Sequence, residues 1–86
     1  MEAVKRNQKM PKVPLLVGTI TLVNTEGGFT LIDSGNTPNP SVGEVIKSRT
    51  ADVESGELRV TEVRRRPFYI ADIIKGKPQK GDQVFQ

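Results

Sequence analysis

The chain has no cysteine, no histidine and no tryptophan, and its only aromatic side chains are Phe29, Phe68, Tyr69 and Phe85. Without cysteine or histidine there are no disulfide staples, no Cys/His zinc sites, no Cys-His nucleophilic pair and no Ser-His-Asp triad. The missing cysteine leaves the compartment open, because a reducing cytosol and a disulfide-free exported domain both permit it. With so few aromatics, little remains for an exposed platform that stacks bases. No apolar run approaches the roughly 20 residues that a membrane-spanning helix needs, so no membrane insertion is expected. The opening MEAVKRNQKMPKVP also lacks the apolar stretch of a secretory leader.

What the chain does contain is charge, unevenly distributed. The formal net charge is +3, and residues 1–14 account for it, with Lys5, Arg6, Lys9 and Lys12 against Glu2. The remaining body is neutral, yet dipolar along its length. Residues 15–63 are acidic, whereas residues 64–80 hold Arg64, Arg65, Arg66, Lys75, Lys77 and Lys80 against Asp72 alone. Such a dipole points to an electrostatically complementary partner.

Eighty-six residues suffice for one domain. LLVGTITLV (15–23) is rich in β-branched residues and predicts a strand, closed by a turn at residues 24–28. GFTLIDS (28–34) predicts a hairpin partner, and SGNTPNPS (34–41), with two prolines and a glycine, predicts a loop. Further strands are expected over 43–49, 57–65, 68–74 and 82–86, with TADVESG (50–56) as a polar turn and Pro67 ending the fourth strand. No apolar spacing supports a helix. The expected architecture is all-β: a small six-stranded, SH3-like barrel over 15–86, preceded by a flexible, disordered basic arm over 1–14. Closure protects the edge strands of so small a sheet. Alternation assigns Val17, Ile20, Leu22, Phe29, Leu31, Val45, Leu58, Val60, Ile70, Ile73 and Val84 to the core.

One internal echo is structural in character. Pro40-Ser-Val-Gly43-Glu44-Val-Ile46 and Pro78-Gln-Lys-Gly81-Asp82-Gln-Val84 share the pattern proline, two residues, glycine, acid, any residue, aliphatic. Proline presets φ for a turn, glycine supplies the positive φ that other residues resist, and the acid accepts backbone N–H groups. KGKPQKGD therefore predicts a corner. It has neither the spacing of a phosphate loop nor a following helix.

Three clusters invite a functional reading. Arg64, Arg65 and Arg66 with Lys75, Lys77 and Lys80 form a basic group that a tight hairpin or barrel could bring to one face, with Arg64, Arg65, Arg66, Lys75 and Lys77 suited to an acidic protein surface. With Phe68 or Tyr69 to stack a base, it would suit nucleic acid, although the neutral body lacks the domain-wide basic excess of a typical binder. Leu31-Ile32-Asp33-Ser34-Gly35 resembles the active-site triplet of retropepsin-like aspartic peptidases, which implies a homodimer whose two copies of Asp33 share one proton. The alternative is a strand ending in ordinary turn residues. Asp33, Asn36 and Asn39 lack the spacing of a metal loop, and no residue pattern calls for a cofactor.

Taken together, VGTITLVN, GFTLIDSG, VGEVIKSR, GELRVTEV, FYIADIIKG and KGDQV resemble the small C-terminal β-barrel of the flagellar assembly protein T family and related barrels of bacterial envelope proteins. The resemblance implies a non-enzymatic, SH3-like interaction or assembly module without catalytic residues. It also implies an envelope or periplasmic setting if the chain is a fragment or a processed form. If the chain is complete as written, a cytoplasmic setting is expected. Arg64, Arg65, Arg66, Lys75 and Lys77 are the expected partner-binding residues.

Overall fold

A computed structural model describes residues 15–86, and the expected basic arm at 1–14 lies outside the described residues. Six strands, β1 (Leu16–Asn24), β2 (Phe29–Asp33), β3 (Val45–Thr50), β4 (Val53–Arg65), β5 (Phe68–Gly76) and β6 (Gln83–Phe85), form a closed barrel in the order β1-β2-β5-β4-β3-β6. Every neighbouring pair is antiparallel. The all-β barrel expected from the sequence is present.

The core consists of Val17, Ile20, Ile32, Ile46, Leu58, Val60, Tyr69, Ala71 and Val84, with Val23 and Ile73 packed against it. Five of the expected core residues are therefore inside, and others are displaced by one position. Leu22 and Val45 are exposed, Leu31 and Ile70 are half-buried on the outer face, and Phe29 is also only partly buried. Ile32, Ile46, Tyr69 and Ala71 take the inner positions. A shift of one residue turns every side chain of a strand to the other face, and in β2, β3 and β5 both faces carry apolar residues. Barrel closure selects between them. Thr30 is carried inward with Ile32 and is satisfied by donating from Oγ1 to the Ala71 carbonyl at 3.1 Å.

The expected polar turn at 50–56 is shorter in the structure. Only Ala51 and Asp52 turn, both with positive φ (49° and 71°), and β4 begins at Val53. This two-residue hairpin geometry favours glycine, asparagine and aspartate, so Asp52 suits it and Ala51 does not announce it.

The strands fall into two consecutive triplets, β1-β2-β3 and β4-β5-β6. Exchanging β1 with β4, β2 with β5 and β3 with β6 regenerates the closed order, which gives the barrel an internal two-fold relation. The two Pro-x-x-Gly-acid segments occupy equivalent places and make the same bonds. Glu44 N donates to Ser41 O (3.1 Å) and Ser41 N to Glu44 Oε1 (3.1 Å); Asp82 N donates to Gln79 O (3.0 Å) and Gln79 N to Asp82 Oδ2 (2.8 Å). Each corner then grips the first strand of the other triplet. Gly43 N and Glu44 O bond Val60 of β4, and Gly81 N and Asp82 O bond Ile20 of β1. The halves are interlocked, with neither closing on itself.

Candidate functional site

The β4–β5 hairpin positions the arginines. Among the described residues, β5 is the one strand beside β4 past Val60, and after a bulge the register resumes at Arg64↔Tyr69 and Arg65↔Phe68. The tip is thus a β4–β5 ribbon flanked by β2 on its β5 side, where Phe68 pairs with Asp33 and Tyr69 with Ile32, and its residues 62–67 are all exposed. Arg64 is tied down, its Nη2 donating to Pro40 O at 3.2 Å. Among the described residues, no carboxylate lies within ion-pair distance of Arg64, Arg65 or Arg66. Charged side chains on such a ribbon also discourage pairing with other strands.

Lys75 and Lys77 lie elsewhere. They follow β5 to its opposite end, where Lys75 pairs with Glu57 at 3.9 Å. Seven residues of strand separate Phe68 from Lys75, about 23 Å at 3.3 Å per residue, which exceeds the screening length of roughly 8 Å at physiological salt. The basic group read from the sequence is therefore two groups, at opposite ends of the barrel. Lys77 instead borders a shallow groove of about 450 Å³ with Val23, Ile73 and Pro78. Tyr69 is fully buried, donating its hydroxyl to Val17 O at 3.1 Å. Burial, reinforced by the nearby Glu44 charge, raises its pKa well above the ordinary phenol value. It offers no surface for stacking.

Asp33 ends β2 between Thr19 of β1 and Phe68 of β5. Its Oδ1 accepts the Gly35 N–H at 2.8 Å, closing a local turn of the kind common at strand ends. It borders a groove of about 350 Å³ with Leu16, Thr19 and Thr21. Of the residues weighed and set aside as a metal loop, Asn36 and Asn39 line one cavity and Asp33 a neighbouring groove. Among the described residues no group of three or more Asp or Glu side chains converges.

The loop over 34–41 and the arginine tip meet at the end of β2. Ser34 N and Oγ both donate to Pro67 O (2.8 and 2.9 Å), while Thr37 N and Oγ1 both donate to Ser34 O (3.0 and 2.7 Å). Between them lies a polar cavity of about 200 Å³ walled by Ser34, Asn36, Thr37, Asn39 and Arg66. Sequence reasoning placed Arg66 among the binding residues and left Asn39 in a loop. The available signal was the density of Ser, Asn and Thr in SGNTPNPS.

At the opposite end, Asp82 is 3% exposed and accepts three hydrogen bonds, from Thr50 Oγ1 (2.6 Å), Ser55 Oγ (2.6 Å) and Gln79 N (2.8 Å). Ser48, also buried, shares a 2.7 Å hydroxyl contact with Ser55. Burial pushes the Asp82 pKa up, but the bonds from Ser55, Thr50 and Gln79 oppose it and hold the carboxyl below its ordinary value. With both oxygens engaged by β3, the start of β4 and its own corner, Asp82 fastens structure. No protein-family model, no curated protein and no solved structure matches this chain.

Proposed function

We propose that this barrel is a non-enzymatic interaction module that receives an acidic protein surface on the tip of the β4–β5 ribbon. The carrying observation is three consecutive exposed arginines, without carboxylate partners among the described residues, on a ribbon tied to the 34–41 loop. Arginine presents a rigid planar fork suited to carboxylates, and charge complementarity of this kind mainly provides specificity and association rate. The sequence resemblance to barrels of flagellar assembly protein T and bacterial envelope proteins supports an SH3-like assembly role in that setting. Lys75 and Lys77 fall outside this surface, so the binding set reduces to Arg64, Arg65 and Arg66.

The test uses the full chain and an oligoglutamate peptide, with a single-stranded oligonucleotide of equal charge as competitor. The peptide is expected to bind in a salt-sensitive manner. The variant carrying Arg64→Ser, Arg65→Ser and Arg66→Ser should bind at least about tenfold more weakly, a loss of roughly 1.4 kcal/mol, with its thermal unfolding little changed. Equal binding by the triple variant sinks the reading, and preference for the oligonucleotide replaces it with nucleic-acid recognition.

A further inference from the structure

The cavity beside Arg66 is walled by one cationic residue and no carboxylate. Two carbonyls in its frame are already saturated: Pro67 O takes both the N–H and the hydroxyl of Ser34, and Ser34 O takes both the N–H and the hydroxyl of Thr37. A carbonyl oxygen has two lone pairs, so neither retains capacity for a ligand donor. The nearest carboxylate in sequence, Asp33, borders the neighbouring groove and turns one oxygen onto Gly35 N. What remains in the wall is Arg66, which brings the one charge, and Asn36 and Asn39, whose amides each offer donors and an acceptor. Asn39 Nδ2 is moreover buried without any hydrogen-bond partner. Buried donors are almost always satisfied, so such an exception calls for an explanation.

We infer that this cavity is a receptor for a single carboxylate, the side chain of an aspartate or glutamate of the acidic partner, with Arg66 supplying charge and Asn39 turning its amide to donate to the second oxygen. The inference rests on the proposed acidic-surface reading and narrows it from a general attraction to one built subsite. A volume of about 200 Å³ is several times the roughly 30 Å³ share of one water, enough for a carboxylate with its adjoining methylene. A cation would meet the charge of Arg66 with no carboxylate in the wall to offset it. Charge-assisted bonds from a planar guanidinium favour the planar carboxylate.

The deciding experiment is an NMR titration of the isotope-labelled full chain with N-acetyl-glutamate amide, which carries one carboxylate, and in parallel with inorganic phosphate at matched ionic strength. The Asn39 side-chain amide signals are expected to move and saturate with the glutamate compound. Arg66→Gln should weaken that binding at least about tenfold, as loss of a charge-assisted pair implies, and Asn39→Ala should weaken it too. A chain carrying Lys75→Gln and Lys77→Gln, at the opposite end of the barrel, should keep it within about threefold, because charges beyond the screening length contribute little. The spectra themselves verify that each variant is folded. Unmoved Asn39 signals, an unaffected Asn39→Ala variant, or tighter binding of phosphate each overturn the inference. Oligoglutamate capture that survives Asn39→Ala and Arg66→Gln but fails in the triple serine variant overturns the subsite while leaving the arginine surface standing.

Discussion

The two corners of the barrel share a backbone and differ in what they do with the acid. Glu44 and Asp82 each accept the N–H three residues back, and each follows a glycine with strongly positive φ, Gly43 at 87° and Gly81 at 93°. Asp82 is buried under the β3–β4 hairpin and takes two further hydroxyls, whereas Glu44 is half-buried and takes none from a side chain. The difference follows from the connection between the halves. The chain crosses from one triplet to the other through Ala51 and Asp52, and the flanking Thr50 and Ser55 close over the second corner. At the first corner the equivalent place is held by Leu15 and Gln86, beside a groove of about 350 Å³ that also touches Pro40 and Ser41. Among the described residues, side-chain bonds fasten the acid at one end of the barrel, and none fastens the acid at the end carrying the candidate site.

Breaking the acids separates these roles most strongly. Asp82→Ala removes three bonds to a buried charged group and leaves two hydroxyls poorly satisfied, an expected loss of about 3 kcal/mol. For a domain of this size that lowers Tm by roughly 12–24 °C. Glu44→Ala forfeits one exposed bond and should cost about 0.5 kcal/mol. Calorimetry of the two variants checks the contrast, and comparable losses would show that both acids are merely corner residues.

A weaker form of the same test leaves the side chain in place and removes its charge. Since the folded-state pKa of Asp82 lies below the ordinary value, the ionised form is favoured by folding. Its contribution is complete above the unfolded carboxylate pKa of about 3.9 and is lost as pH falls through the lower folded value. Acid unfolding of Asp82→Asn should therefore depend less steeply on pH below about 4 than that of the parent protein. Parallel profiles for the two proteins would remove Asp82 from the acid response.

Much of this architecture is legible in the sequence, and the failures have identifiable causes. The corners are readable because proline, glycine and an acid at fixed offsets leave the backbone few alternatives, and the strands because β-branched residues crowd them. The inner faces of β2, β3 and β5 are not readable. Leu31 and Ile32, Val45 and Ile46, or Ile70 and Ala71 are equally credible by composition, and the choice depends on partners distant in sequence. The hairpin at Ala51 and Asp52 is hidden because Ala51 is not a residue its geometry prefers. The candidate site fails for a different reason. Arg66 and Asn39 meet only because β2 pairs with β5, which places Ser34 on Pro67, and no local pattern encodes that pairing. Tyr69 reads as a surface aromatic until the same pairing turns it inward.

If the corners are equivalent in backbone and unequal only in their acids, replacing the glycines should erase the contrast. An added Cβ meets nothing within 4 Å at either Gly43 or Gly81, so the cost of alanine at each is conformational alone, about 1–2 kcal/mol for a residue held in the left-handed region. Gly43→Ala and Gly81→Ala should lose the same amount within about 0.5 kcal/mol, and the double variant should lose their sum, since sites that share no partner act independently. A much larger loss at Gly81 would mean that strain there propagates into the Asp82 network. The buried corner would then owe its rigidity to side-chain bonds that tolerate no backbone shift, and the two-fold relation would describe the strand order without describing the energetics.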